Sequence, residues 1–313
     1  MDKQKALITG ITGFVGQWLT RHLIDNGYNV IGIDQEPDCP FNNINYRQLD
    51  ILDTEKITDL LLTEKPQTLY HLAAISFVPE ADHSPQHALD INIMGTVSVL
   101  DAVKRSGVDT RVLQVGSSKE YDNTCNHENV DESVKPEPTN FYGISKYASE
   151  LIGLQYVRRF GIDVRFTRSF NHTGPGQSPR FVCSEWAKRV AEIALDIIPP
   201  EISAGNTKSV IDFMDVRDVV HAYNLIMEKG KTGQIYNVCS NKGTQLDWIL
   251  KYLIKKTNKA VKVEYNNSFH TDKKGTILTG NNQKLKSHTG WKNFYSLEKT
   301  LDDLYDYWLK ILS

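Results

Sequence analysis

Thr9-Gly10-Ile11-Thr12-Gly13-Phe14-Val15-Gly16, directly after the apolar run Ala6-Leu7-Ile8, is the stretch that decides the fold of this chain. A short apolar run suits a buried strand. Three glycines then let the chain turn tightly, let the backbone approach a pyrophosphate, and let a helix pack close to the strand. Phe14 to Ile24 continues as that helix, with Leu19, Leu23 and Ile24 at helical spacing and Gly27 as its C-terminal stop. The helix N-terminus would point its unpaired N–H groups and its dipole at the phosphates. The next strand, Asn29-Val30-Ile31-Gly32-Ile33, ends in Asp34. That residue lies about 18 positions after Gly16, near the ~20 expected of an acid that hydrogen-bonds the adenosine ribose 2′-hydroxyl. A carboxylate there repels a 2′-phosphate, and no Arg or Lys follows within Gln35-Glu36-Pro37-Asp38. The expected cofactor is therefore NAD, with NADH preferred over NADPH. Gly10, Gly13, Phe14, Val15, Gly16 and Asp34 are its expected contacts.

About 130 residues further on stands Tyr142-Gly143-Ile144-Ser145-Lys146. A tyrosine and a lysine at i and i+4 share one helix face. An ammonium near the phenol is expected to lower the tyrosine pKa toward working pH, as a general acid requires. Lys146 can also hold the nicotinamide ribose. Each motif alone is common. In this order and separation they point to a nicotinamide dinucleotide beside a tyrosine whose proton can be moved.

Strand and helix patterns alternate through about residue 165, which implies an α/β fold with a doubly wound parallel sheet and helices on both faces. The expected strands are 5–9, 29–34, 45–49, 68–73, 110–116 and 163–168. The expected helices are 14–26, 54–64, 86–107 and 140–160. The second half has shorter elements and more turns. Gly174-Pro175-Gly176-Gln177-Ser178-Pro179 is a loop by composition, and helices are expected at 181–197, 245–256 and 297–311.

The 313 residues can bury a substantial core as one large or two modest domains. A formal charge of −2 gives no electrostatic case for nucleic-acid binding. No stretch approaches the ~18 consecutive apolar residues of a membrane span, and Met1-Asp2-Lys3-Gln4-Lys5 runs straight into the first strand without the pattern of a signal peptide. Cys39, Cys125, Cys183 and Cys239 lack metal spacing and read as free thiols in a reducing compartment, so a cytoplasmic protein without a metal is expected.

Beyond these two motifs the chain resembles the extended short-chain dehydrogenase/reductases that act on nucleotide sugars. The resemblance runs through Asp50-Ile51, His71-Leu72-Ala73-Ala74, Asn92-Ile93-Met94-Gly95-Thr96, and Gly116-Ser117-Ser118-Lys119-Glu120-Tyr121. It continues in Arg168 to Gln177, Asp215 to Val220, Tyr236-Asn237-Val238 and Thr289-Gly290-Trp291-Lys292. Asn171 to Gln177, followed by Phe181-Val182, is most similar to the GDP-mannose 4,6-dehydratase and GDP-4-keto-6-deoxy-mannose reductase branch. The resemblance implies a Rossmann-type NAD-binding domain over 1–168 with returning segments near 210–240. It implies a smaller mixed α/β substrate-binding lobe from 169–209 and 241–313. It adds Asp50, Ile51, Leu72, Ala73, Ala74 and Asn92 to the cofactor contacts, and Ser118, Lys119, Asn171, Arg180, Phe181, Val182 and Lys188 to the substrate side. It also implies a homodimer through helices 86–107 and 140–160, whose apolar Leu100, Val103, Leu151, Leu154 and Val157 exceed one buried face.

In the mechanism this implies, Ser117 hydrogen-bonds the oxygen at sugar carbon 4, Tyr142 gives or takes its proton, and Lys146 binds the ribose and supports the phenol. Dehydratases of this branch carry a Glu two residues after the Ser or Thr, where this chain has Lys119. An ammonium cannot serve as that carboxylate. Glu120 is adjacent, but a shift of one residue near a strand end sends its side chain to the opposite side. The branch also usually has Arg-Asp-Phe where this chain reads Ile211-Asp212-Phe213. It usually has Arg-Pro where this chain reads Phe269-His270-Thr271-Asp272-Lys273-Lys274. Those arginines would clamp a diphosphate, a task left here to Arg180, Lys188, Lys273 or Lys274. A nucleotide-diphosphate 4-keto-6-deoxysugar reductase is the favoured reading. The alternatives are a dehydratase or epimerase that retains its NAD, and a non-enzymatic dinucleotide sensor. The nucleotide stays open among GDP, dTDP, CDP and UDP.

Overall fold

The computed structural model describes residues 3–121, 127–265 and 275–313. Along the chain run β1 (Lys5–Thr9), α1 (Phe14–Asp25), β2 (Asn29–Asp34), β3 (Asn45–Gln48), α2 (Thr54–Glu64) and β4 (Thr68–His71). Next come α3 (Val78–His83), α4 (Pro85–Leu89), α5 (Gly95–Ser106), β5 (Arg111–Ser117), β6 (His127–Val130), α6 (Phe141–Phe160) and β7 (Val164–Ser169). The second half holds β8 (Asn171–Thr173), α7 (Val182–Ala194), β9 (Glu201–Ala204), β10 (Val210–Asp215), α8 (Val216–Lys229) and β11 (Ile235–Val238). It ends with β12 (Gly243–Gln245), α9 (Leu246–Ile254), β13 (Lys262–Tyr265), β14 (Ile277–Gly280), α10 (Gln283–Thr289) and α11 (Leu297–Leu312).

Seven strands form one parallel sheet in the order β3-β2-β1-β4-β5-β7-β11. Strands buried on both faces read as apolar runs, and Ala6, Leu7 and Ile8 of β1 are wholly buried. Leu19 and Leu23 of α1 pack on one face with Val219, Val220 and Tyr223 of α8. Ile57 and Leu61 of α2 pack on the other with Val99, Leu100 and Val103 of α5. Full burial of each such side chain contributes about 1.5–3 kcal/mol. The strand order reverses between β1 and β4. In sheets of this kind the crevice beyond the carboxyl ends of the strands at such a reversal is where ligands bind.

A second sheet, in the order β12-β10-β14-β6 with β8 paired to β10, sits beside the first. Helices α7, α9 and α11 bury their own core around Trp186, Ile249, Leu250, Leu301 and Leu304. The chain crosses between the two bodies more than once. β6 lies in the second sheet, and α8 and β11 return to the main one.

The expected helix 86–107 is not uniform. A π-helical turn over Asp90–Met94 separates α4 from α5. Its cause is Asn92, which is used on every side. Its amide oxygen accepts from the Ile75 N–H at 2.8 Å, and its nitrogen donates to the Ile75 carbonyl and to Ser145 Oγ. Its main-chain carbonyl accepts from the hydroxyls of Thr96 and Ser149. Single π turns of this kind are frequent at functional sites. Other expected boundaries shift by one to three residues, as helix ends do.

Candidate active site

Gly10 follows β1 with φ +73°, a left-handed conformation that favours glycine. A Cβ there would stand 2.8 Å from the Ala73 nitrogen, so the turn after β1 closes directly on the end of β4. A Cβ at Gly16 would meet the Gly10 carbonyl at 2.3 Å, which seats α1 against the same turn. No side chain caps α1 and no acid lies in its first turn. Its first N–H groups, at Phe14 and Val15, therefore fit an anion. Asp34 at the end of β2 accepts from the Thr12 N–H at 3.0 Å and the Thr12 hydroxyl at 2.8 Å. It thus ties the glycine turn to the second strand. Leu72, Ala73 and Ala74 line the end of β4, partly buried. These residues form a cradle that fits a dinucleotide. Asp50 is exposed and accepts from the Leu52 N–H. Ile51 and Asn92 are buried. Asn92 acts by pinning the helix that carries Lys146.

Asn140 caps α6 by accepting from the Gly143 N–H at 2.8 Å, and Gly161 at φ +68° ends the helix. Gly143 lets the first turn of α6 lie on the turn after β5, since a Cβ there would stand 2.1 Å from the Lys119 carbonyl. This contact brings Tyr142 beside the end of β5, where Ser117 pulls the pKa of its phenol down. Lys146 Nζ donates to the Val115 carbonyl at 2.9 Å and lies 6.0 Å from the centroid of the Tyr142 ring. Ser117, Tyr142 and Lys146 thus converge at the carboxyl end of the sheet, beside the strand-order reversal.

The electrostatics differ from expectation in one respect. Burial pushes the Tyr142 phenol up to about 12, with Ser117 pulling the other way and a charge on Glu120 adding to the rise. The phenol is thus raised, not lowered as expected. Burial lowers Lys146 itself to about 8, opposed by a charge on Glu120. His71 beneath the site is bonded to Thr9 and Thr96, and burial brings it to about 3, so it is a neutral structural histidine.

A dinucleotide cradle joined to a Ser–Tyr–Lys cluster invites comparison with known proteins. The family described as GDP-mannose 4,6 dehydratase matches residues 7–304. The chain belongs to this family. A curated relative, GDP-6-deoxy-D-mannose reductase of Pseudomonas aeruginosa, is 28% identical over 306 residues, which covers 97% of either chain. Among solved structures, RMD from Pseudomonas aeruginosa complexed with NADPH superposes with a TM-score of 0.87 at 28% identity, covering 99% of this chain and 100% of that one. UDP-glucose 4-epimerase from Thermotoga maritima, solved with UDP-glucose, gives 0.88 at 26% identity over the same shares.

The residues expected on the substrate side of this GDP-mannose 4,6-dehydratase family member fall into three groups. Ser118 and Lys119 form the 3-10 turn directly after Ser117. Ser118 is buried. Lys119 is partly exposed, makes no ion pair among the described residues, and is lowered by burial. Asn171 pairs with Phe213 in the second sheet, and Phe181 and Val182 begin α7. Arg180 is an ion-pair partner of Glu80 at 2.6 Å and stacks over Phe77 at 4.1 Å, while Phe181 meets Phe77 edge to face. Phe77 and Glu80, absent from the sequence reading, thus clasp the lobe to the cofactor side. Lys188 pairs with Glu192 at 3.5 Å and lies 5.6 Å from the centre of the Trp308 ring.

Ile211 packs on the lobe core. Asp212 beside it accepts from Ser240, Asn241 and Gly280. Both hold the second sheet together. Lys273, Lys274 and the stretch from Phe269 lie outside the described residues, as does Cys125. Cys39, Cys183 and Cys239 are free thiols. Among the described residues no cluster fits a metal ion, and no helix is long and apolar enough to cross a membrane.

Proposed function

We propose that this chain is an NAD(H)-dependent reductase of a nucleotide-diphosphate 4-keto-6-deoxyhexose, of the GDP-4-keto-6-deoxymannose type. One observation carries the reading. The Ser117–Tyr142–Lys146 cluster is complete, while the position that a dehydratase fills with a carboxylate holds Lys119. The neighbouring Glu120 is wholly buried and bonded to the Ser117 N–H. The chain therefore has the groups for moving a proton at carbon 4 and lacks the base for carbon 5. A sensor has no need of the acid.

A bound nicotinamide supplies the hydride chemistry. The protein's residues do the rest. Ser117 orients the substrate oxygen. Tyr142, held neutral by its burial, donates the proton to that oxygen as negative charge develops on it. Lys146 holds the ribose with its ammonium. Gly10, Gly13, Gly16 and the first turn of α1 receive the pyrophosphate, and Asp34 selects the unphosphorylated ribose, although the Pseudomonas aeruginosa RMD structure contains NADPH. A 4-epimerase that retains NAD is the second reading. It is supported by the equally close superposition on the Thermotoga maritima enzyme.

Incubation with GDP-, dTDP-, CDP- and UDP-linked 4-keto-6-deoxysugars and NADH tests the reading. Loss of NADH absorbance, with a product heavier by two hydrogens, is expected and is to be strongest with GDP. Dehydration of a nucleotide hexose without added NADH would overturn the assignment.

A further inference from the structure

Behind Ser117 lies a sealed group of charges that the reaction above leaves unused. Arg168 of β7 is 3% exposed, in a strand buried on both faces. Its Nε and Nη2 donate to the two oxygens of Glu150 on α6 at 2.9 and 2.7 Å, and its Nη1 donates to the Tyr121 hydroxyl at 3.0 Å. The guanidinium fork is thus committed to one carboxylate and one phenol. Glu120 is the second carboxyl of the group and is wholly buried. Its Oε1 accepts from the Ser117 N–H at 2.8 Å. Its Oε2 lies 3.4 Å from Arg168 Nε and has no hydrogen-bond donor among the described residues. Gly116 is what admits this carboxyl, because a Cβ there would stand 2.3 Å from Oε1.

An ionised carboxylate buried with one hydrogen-bond donor, its second oxygen beside a guanidinium whose N–H groups are already taken by Glu150 and Tyr121, is disfavoured. A carboxylic acid is not, since its O–H finds an acceptor. The carboxyl of Glu150, which faces Glu120 from α6 and takes both donors of Arg168, is that acceptor. We propose that Glu120 is a positioning residue that works as a neutral carboxylic acid, holding the Ser117 main chain with one oxygen and donating its proton to Glu150 with the other.

The groups that face Glu120 agree. From α6 come Tyr142, Lys146 and Glu150, from β7 Arg168, and from its own turn Tyr121, beyond which stand Glu132 and Lys284. Burial and Glu150 both push Glu120 well above the usual carboxylate range, against the pull of Arg168 and the Ser117 N–H. Its neutrality has a consequence next door. An anion at this place would raise both Tyr142 and Lys146, making the acid weaker and the ammonium more persistent.

The proposal rests on Ser117, Tyr142 and Lys146 being the reacting centre, and its test separates the two. Glu120→Gln keeps an acceptor for Ser117 and a donor for Glu150, so kcat and the alkaline limb of its pH profile should stay as in the parent. Glu120→Ala should lower kcat by up to about 100-fold, as a small misplacement of a reacting group does, with KM little changed. Infrared difference spectra of parent against Glu120→Gln at neutral pH, without substrate, should show the carbonyl band of a protonated carboxyl. A Glu120→Gln variant as impaired as Glu120→Ala, a limb displaced to lower pH, or a difference spectrum showing only carboxylate would overturn the proposal. Should Glu120→Ala not fold, the Gln variant and the infrared comparison decide it. Should no nucleotide sugar be turned over, the functional reading falls and the infrared comparison alone decides Glu120.

Discussion

Lys146 points its ammonium at the Val115 carbonyl, 2.9 Å away, and stands 6.0 Å from the centre of the Tyr142 ring. The lysine is therefore anchored to the strand that ends in Ser117 rather than to the phenol. In the proposed role its charge would serve a ribose hydroxyl, and its own protonation, not that of the tyrosine, would set the upper limit of working pH.

Activity should accordingly fall as pH rises through about 8, where burial places Lys146, while Tyr142 at about 12 keeps its proton throughout that range. The sign separates this loss from unfolding. The folded chain binds the Lys146 proton less tightly than the unfolded chain, whose lysine has its ordinary value of 10.5. Between these values this residue adds stability as pH increases. A kcat/KM profile beside a melting profile over the same range checks both. An activity that holds level past pH 10 would remove Lys146 from the role.

Tyr142→Phe deletes the phenolic oxygen and little else. Turnover should drop by about 10²–10⁴, the range for a positioned general acid, with NADH affinity nearly constant. Single-turnover kinetics beside a fluorescence titration of NADH distinguish the two. Near-full turnover would mean that the proton comes from elsewhere.

Asp34 decides the cofactor in this reading. Its carboxylate is already steered by the Thr12 N–H and hydroxyl, so it meets a 2′-phosphate as a fixed negative charge. The ratio of specificity constants should favour NADH clearly, and Asp34→Ala should narrow it. Equal use of both cofactors by the parent would refute the assignment.

The assembly prediction changes its residues but not its helix. Leu100 and Val103, expected at a dimer surface, are buried in the protein's own core, and Leu154 and Val157 pack against the same core. Along one face α6 leaves Phe141, Ile144 and Leu151 uncovered, each at least 40% exposed, with Phe160 exposed at its end. A second copy of this chain is the proposed partner of that stripe. Sedimentation at micromolar concentration should show a dimer, and Ile144→Glu with Leu151→Glu should give monomers that still bind NADH. A parent chain that sediments only as a monomer would rule it out.

The glycine turn and the Tyr142–Lys146 pair were legible because their signals are local. Strand, glycine turn, helix and acid follow within about thirty residues, and Tyr142 and Lys146 share one turn of helix. The Glu120–Glu150–Arg168 group was not, because its members lie on three elements and meet only in the folded chain. One signal was present all the same. An arginine inside the strand Val164-Arg165-Phe166-Thr167-Arg168-Ser169 demands a buried carboxylate somewhere. The second sheet escaped notice because strands of three to six residues carry too few alternations to declare a period. The π turn escaped because Asn92 needs Ile75 and Ser149 to create it. The Trp308 neighbour of Lys188 was hidden for a related reason, since a lysine on a helix reads the same whether it faces a cleft or a neighbouring tryptophan.

Gly143 has a bearing on how such enzymes diverge. The seat of the tyrosine helix on the Lys119 carbonyl is a main-chain contact, indifferent to which side chains surround it. Exchanges among the lobe's side chains would then leave the spacing between Tyr142 and Ser117 as it is. A replacement at Gly143 itself is the exception, since any Cβ there would push the tyrosine helix off the turn that follows β5.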